Sequence, residues 1–131
     1  MQEKIVLRMK DGSMRKCSTY SHFSAAFTKM KVVTTEGKVE SVDLSDLKAI
    51  FFVYEFEGNP GYKAGGDFEE ASPKAGRIVR VCFQDGEVIR GRVLNLAEGR
   101  SGFFLYPADP LDNNRKVFVV RSPGTLVEVE G

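Results

Sequence analysis

Few residue types in this 131-residue chain could perform catalysis or hold a metal ion, since it contains one histidine and two cysteines. His22 follows Ser21 directly, and the side chains of adjacent residues rarely face each other. A catalytic triad needs a base within reach of a nucleophile and a carboxylate, and nothing in the sequence pairs these groups. A structural zinc site usually takes four ligands in close pairs, which Cys17, His22 and Cys82 do not supply. The sequence therefore predicts no catalytic residue, no metal and no cofactor, hence no enzyme.

Two other segments have the composition of ligand-binding loops. The stretch D-P-L-D-N-N at 109–114 offers oxygen atoms, but it lacks the glycine and the distal glutamate of an EF-hand loop. The glycine-rich stretch at 61–66 is not followed by the Lys-Ser or Lys-Thr that a phosphate-binding P-loop requires. Aspartate, proline, asparagine and glycine also favour turns and linkers. We therefore predict a turn for the first stretch and a linker for the second.

Arginines are concentrated at the start of the second half of the chain, at positions 77, 80, 90, 92 and 100. Arg90 and Arg92 lie two residues apart, so they share one face of a strand, and arginine can contact phosphate bidentately. Asp85, Glu87 and Glu98 are interspersed among the arginines, and the net charge of the whole chain is only +1. Nucleic-acid binding through Arg90 and Arg92 is therefore possible but not favoured over a solvated face of mixed charge.

The strongest candidate for an interaction surface is aromatic. The segment I-F-F-V-Y-E-F-E at 50–57 begins with apolar residues on both faces, and G-F-F-L-Y at 102–106 repeats this pattern. A strand in a small antiparallel sheet usually buries one face only, so Phe51, Val53, Phe103 and Tyr106 need a second cover. Packing of one half of the chain on the other, a homodimer, or a bound partner protein would each supply that cover.

The chain has two halves of similar sequence. The stretch I-V-L-R-M-K-D-G at 5–12 aligns with V-R-V-C-F-Q-D-G at 79–86, and Asp-Gly after an alternating strand favours a β-hairpin. Similar strands follow in both halves, at 30–33 and 103–106, at 39–44 and 116–120, and at 47–56 and 126–129. We therefore expect five-stranded units at 1–58 and 77–131, joined by a Gly- and Pro-rich linker at 59–76.

Three motifs carry a resemblance to a known kind of domain: D-G-E-V-I-R-G at 85–91, G-F-F-L-Y-P-A-D at 102–109 and L-K-A-I-F-F-V at 47–53. They resemble an uncharacterised bacterial family of small β-domains, in two copies, and more distantly the Sm-like barrels. The resemblance implies an all-β fold of two tandem five-stranded small barrels, or strongly bent antiparallel sheets, packed on each other. A single merged sandwich is the structural alternative, and no established activity is implied.

Two kinds of nucleic-acid or nucleotide-binding barrel share parts of these motifs. Sm-like domains contact RNA where this chain has Cys17 in place of a glycine in one half and S-P-G at 122–124 in place of Arg-Gly in the other. PilZ domains bind cyclic dinucleotides through a motif that resembles D-L-S-D-L-K at 43–48, but Lys48 stands here in the place of a glycine. These departures weaken the transfer of either activity to this chain.

Composition sets the remaining expectations. The mean hydropathy is −0.22, and no apolar run approaches the roughly 18 residues that span a bilayer. The first residues, M-Q-E-K-I-V-L-R, contain no signal-peptide core, and two cysteines are too few for a disulfide framework, so we expect a cytoplasmic protein. We predict a non-catalytic interaction module that binds another protein or itself and no membrane. Binding of RNA or a nucleotide ligand through an Sm-like or PilZ-like surface is the alternative.

Overall fold

The computed structural model describes residues 3–20, 28–56, 76–94, 101–107 and 114–130. They form ten strands: β1 Lys4–Met9, β2 Met14–Thr19, β3 Lys29–Thr34, β4 Val39–Asp43, β5 Leu47–Val53, β6 Arg77–Cys82, β7 Val88–Val93, β8 Gly102–Pro107, β9 Asn114–Val120 and β10 Leu126–Val129. A short 3₁₀ helix, Leu44–Asp46, stands between β4 and β5. Within the described residues, no helix has the length and apolar character needed to cross a membrane. The all-β prediction is confirmed.

Both predicted Asp-Gly hairpins are present. Gly12 lies between β1 and β2 with φ of +93°, and Gly86 lies between β6 and β7 with φ of +95°. Glycine adopts this left-handed conformation readily, whereas other residues are strained there. The carboxylates of Asp11 and Asp85 each accept a hydrogen bond from the backbone N–H two residues later, at 2.8 and 3.0 Å. Aspartate and glycine therefore shape the same turn in both halves of the chain.

All ten strands belong to one antiparallel sheet with the order β10-β6-β7-β8-β9-β5-β1-β2-β3-β4. The first five strands and the last five each occupy one side of it, and each set places its fifth strand beside its first. Strands β5 and β9 join the two sets, and we call this pair the inner junction. Strands β4 and β10 stand at the two ends of the sheet, and we call them the outer strands. The sheet is thus open, and the predicted closed barrels are not confirmed.

The core consists of two clusters of buried side chains, one for each half. The first cluster takes its members from β1–β5 and the 3₁₀ helix, together with Phe118 and Val120 of β9. The second takes its members mainly from β6–β9, together with Phe51 and Val53 of β5. Because successive side chains of a strand point to opposite faces, β5 and β9 each contribute to both clusters. The inner junction is therefore buried on both sides of the sheet.

The expected division of the chain stays a prediction. Strands β1–β5 fall within the first predicted unit, 1–58, and β6–β10 fall within the second, 77–131. The predicted linker at 59–76 lies outside the described residues, except for Gly76. The predicted turn at 109–114 lies outside them as well, except for Asn114, and so does His22.

Candidate interaction surface

Three of the four residues that the sequence proposed on the aromatic strands lie in the core. Phe51, Val53 and Phe103 are buried, and Phe51 is only 5% exposed. All three belong to the second core cluster, where residues of β5 meet residues of β6–β9. Of the three covers that the sequence left open, packing of one half on the other is the one found here.

Tyr106, the fourth candidate, lies on the opposite face of the sheet and is 40% exposed. It stands directly across from Arg92 in the pairing of β7 with β8. Arg90 lies on the same face as Arg92, since Gly91 between them is buried on the other side. Arg80 of β6 pairs directly with Arg90, so it belongs to this face too. The structure therefore brings together the aromatic and the arginine candidates that the sequence kept separate.

Strand β10 extends this face with two carboxylates. Glu128 pairs directly with Arg80. Glu130 follows β10, and its carboxylate receives two hydrogen bonds from Arg90, from Nε at 2.9 Å and from Nη2 at 3.0 Å. These hydrogen bonds, followed by the charges of Arg90 and Arg80, lower the pKa of Glu130. A bidentate arginine–carboxylate pair fixes the orientation of both side chains.

Apolar side chains complete the surface. Val88 of β7 is exposed, and Leu126 of β10 is 62% exposed. Both lie across from Cys82 of β6, one on each side of it. We call the set on this side of β10, β6, β7 and β8 the outer face, comprising Ile78, Arg80, Cys82, Val88, Arg90, Arg92, Tyr106, Leu126, Glu128 and Glu130. Three arginines against two glutamates leave it close to neutral.

A second group of charged side chains lies between the two halves, and no pattern in the sequence pointed to it. The Lys48 ammonium contacts Asp85 Oδ2 at 2.7 Å and also contacts Glu87 Oε1. It lies 4.6 Å from the centre of the Phe83 ring, and its side chain is only 11% exposed. Arg8 Nη1 approaches Glu87 Oε1 at 3.7 Å. Lys48 therefore links β5 to the second Asp-Gly hairpin.

The charges of this group are paired with one another. The Lys48 amine is held by two carboxylates, and its hydrogen bond is the main reason that the pKa of Asp85 is lowered. The adjoining cavity has a volume of about 50 Å³. An amine bound in this way is a charged cross-link and not a free nucleophile.

The two cysteines are free thiols in different surroundings. Burial raises the pKa of the Cys17 thiol to about 11, so it stays protonated at neutral pH. Cys82 is half-buried in β6. Where the structure describes the chain, it gathers no group of three or more histidine, cysteine, aspartate or glutamate side chains suited to a metal ion.

A comparison with protein families places the chain. The profile of a family of unknown function, DUF6982, matches residues 1–131. The chain belongs to the DUF6982 family. No curated protein and no solved structure matches it. Membership of DUF6982 agrees with the resemblance to an uncharacterised family and brings no activity with it, so the function has to be argued from the surface.

Proposed function

We propose that this chain is a non-catalytic module that binds a partner protein through the outer face. The observation that carries the proposal is the direct pairing of Tyr106 with Arg92 on an exposed face that also holds Val88 and Leu126. Tyrosine and arginine are the residue types that most often dominate the energetics of protein interfaces. The surface combines them with a row of apolar residues at one end and a row of charged residues beside it.

The support beneath the outer face favours binding as well. Val79, Val81, Val93 and Leu105 lie on the reverse side of the same strands and are buried in the second core cluster. The backbone that carries Arg92 and Tyr106 is therefore held by packing and by strand pairing. A surface that is already ordered loses less conformational entropy when a partner binds.

RNA or a nucleotide ligand is the second candidate function. Arg80, Arg90 and Arg92 occupy neighbouring positions on β6 and β7, which favours contact with phosphate. Glu128 and Glu130 lie among them, so the net charge of these five side chains is +1, from three arginines and two glutamates. Because counterion release supplies most of non-specific nucleic-acid affinity, so small a net charge predicts weak binding. We therefore favour a protein partner.

The test begins with affinity capture of the tagged full-length chain from its own cells, with and without RNase. Proteins that survive RNase are purified and titrated against wild type, the Arg92→Ala/Tyr106→Ala variant and the control Met14→Ala. Met14 is exposed on β2, away from the outer face. We expect at least a tenfold rise in Kd for the double variant and no change for the control.

Two results would count against this proposal. Equal affinity of the folded double variant and wild type would show that the partner binds elsewhere on the chain. RNA enriched over a tagged control, bound less tightly as salt is raised and lost with Arg90→Ala/Arg92→Ala, would instead establish the second candidate function.

A further inference from the structure

The two outer strands hold places in the strand order that correspond to the two strands of the inner junction. Inside the chain, β5 is the fifth strand of its set and pairs with β9, the fourth strand of the other set. Strand β10 is likewise a fifth strand, and β4 is likewise a fourth strand. Within the described part of the chain, each outer strand pairs on one side only. A copy of the inner junction between β10 of one molecule and β4 of the next would therefore extend the sheet head to tail.

Strand registers match the outer strand β10 to the inner strand β5. Val6 and Arg80 each lie five residues before the aspartate of their Asp-Gly turn. Val6 pairs with Phe51 of β5, and Arg80 pairs with Glu128 of β10. Glu128 therefore occupies on β10 the position that Phe51 occupies on β5.

The same comparison matches β4 to β9. Met30 pairs with Val42 and Phe103 pairs with Val119, at the aligned third strands of the two halves. Two residues along each pairing, Glu40 faces Val32 and Val117 faces Leu105. Glu40 therefore occupies on β4 the position that Val117 occupies on β9.

These matched positions are the centre of the inner junction. Phe51 and Val117 pair directly, and both are buried in the second core cluster. A copied junction between molecules would place Glu128 directly opposite Glu40. Like charges directly opposite each other on adjacent strands are destabilising, and here they would also lose contact with water.

Other positions near these also change from apolar at the inner junction to polar or charged on the outer strands. Val53 of β5 corresponds to Glu130, and Val120 of β9 corresponds to Asp43. Phe118, which reaches from β9 into the first core cluster, corresponds to Ser41. Five residues of the inner junction enter the neighbouring core; four of them match a polar or charged residue on the outer strands, and the fifth, Ala49, matches the exposed Leu126.

The acids on the outer strands are already engaged with basic side chains of their own molecule. Glu40 forms an ion pair with Arg15, Asp43 lies 3.6 Å from Lys29, and Glu130 binds Arg90. Covering these pairs with a second copy would remove them from water, and that desolvation can exceed what the pairs gain from each other.

One pair of matched positions would fit a second copy. The inner pairing of Phe52 with Lys116 corresponds to Val129 opposite Val39, both exposed in the single molecule. We propose that Glu40 and Glu128, supported by Asp43 and Glu130, stop the chain from adding copies of itself head to tail. The outer strands are shorter than β5 and β9, with four and five residues against seven, and their charges exclude a second copy as a pairing partner.

The test gives each outer strand the residues of the inner junction. One variant carries Glu40→Val, Ser41→Phe and Asp43→Val, and the other carries Glu128→Phe and Glu130→Val. We expect wild type and each variant alone to sediment as monomers, and an equimolar mixture of the two variants to form a heterodimer. Combining all five changes in one chain should give a series of larger species that grows with concentration.

Register is checked by a disulfide. Val39→Cys in the first variant and Val129→Cys in the second should cross-link in the mixture on mild oxidation. Glu36→Cys, in the exposed turn before β4, is the off-register control and should remain free. Cross-linking of the control as fast as Val39→Cys would show unspecific association and overturn the proposal.

A second pair of substitutions tests the proposal without adding apolar residues, which can prevent folding. Glu40→Gln/Glu128→Gln keeps shape and removes the opposed charges, so it should self-associate more strongly than wild type. A wild-type chain that already assembles through β4 and β10 would contradict the proposal. So would a folded mixture, or a folded glutamine variant, that remains as monomeric as wild type.

Discussion

The inner junction and the outer strands of this sheet occupy matching places in the strand order but differ in chemistry. At the inner junction, Phe51 faces Val117, and both are buried between the two halves. On the outer strands the matched positions are Glu128 and Glu40. Backbone hydrogen bonding is available at both places, so it does not decide where sheets join. The side chains that must enter the neighbouring core decide it.

The largest expected effect comes from placing the chemistry of the outer strand at the inner junction. Phe51→Glu would remove a core ring and bury a carboxylate among the apolar side chains of the second core cluster, although the Arg8 guanidinium lies 4.8 Å from the centre of the present ring. Large core truncations alone cost about 3–5 kcal/mol, so we expect the variant to unfold or to lose most of its stability. Chemical denaturation measures the effect. The control Tyr54→Glu, at an exposed neighbour, should change the free energy of unfolding by less than about 0.5 kcal/mol.

A variant Phe51→Glu with the denaturation midpoint of wild type would remove the basis of the comparison. It would mean that β5 is not packed between the two halves in solution.

The next effect concerns the charged cross-link beside the inner junction. Lys48→Met keeps most of the apolar stem but leaves Asp85 and Glu87 without their shared cation. We expect a loss of roughly 1–3 kcal/mol in the free energy of unfolding, as for other hydrogen bonds to charged groups. Lys29→Met, which removes an exposed partner of Asp43 on the outer strand, should cost less than about 0.5 kcal/mol. Equal losses of stability in Lys48→Met and Lys29→Met would contradict the expected difference between the inner junction and the outer strands.

Acid should weaken the same cross-link. The pKa of Asp85 is lowered in the folded chain, chiefly by the hydrogen bond from Lys48, below its ordinary value of 3.8. A lowered pKa stabilises the folded state above the unfolded value, and this contribution is lost as the pH falls through the folded value. Stability should therefore decline below about pH 4. Urea denaturation at a series of pH values measures this decline, which should be shallower in Lys48→Met. If stability fell equally steeply with pH in the variant and in wild type, the contact between Lys48 and Asp85 would be in doubt.

The smallest effect is expected on the outer strands themselves. Glu128→Val removes an exposed charge at the end of the sheet, so the free energy of unfolding should shift by less than about 0.5 kcal/mol. Denaturation at low protein concentration checks this, because self-association would otherwise add apparent stability. A loss above 1 kcal/mol would show that Glu128 holds the fold together rather than keeping copies apart.

Local patterns were enough to predict much of the fold. The Asp-Gly pairs located both hairpins. A tight turn needs a residue with positive φ, as at Gly12 and Gly86, and this need can be read from two adjacent residues. The alternation of apolar residues located the strands, including β10 at Leu126–Val129. The apolar residues on both faces of β5 also predicted that Phe51 needed a second cover. A strand buried on two sides has consecutive apolar residues instead of an alternation of apolar and polar ones.

The candidate surface was less accessible to sequence reasoning. Arg90 and Arg92 could be assigned to one face from their spacing alone. The position of Arg92 opposite Tyr106 depends on how β7 pairs with β8, and the hydrogen bonds of Arg90 to Glu130 depend on how β10 returns beside β6. Strand registers between distant segments are set by the fit of the whole sheet, and no short pattern encodes them.

The sequence by itself determined the all-β character, the hairpins and the need to cover a doubly apolar strand, since these follow from turn chemistry and from alternation over a few residues. The tertiary structure alone decided that the cover is the other half of the same chain. It also decided that Lys48 reaches Asp85, and that Glu128 matches the place of Phe51. These are relations between residues far apart in the chain, and they form only when all ten strands take their order in one sheet.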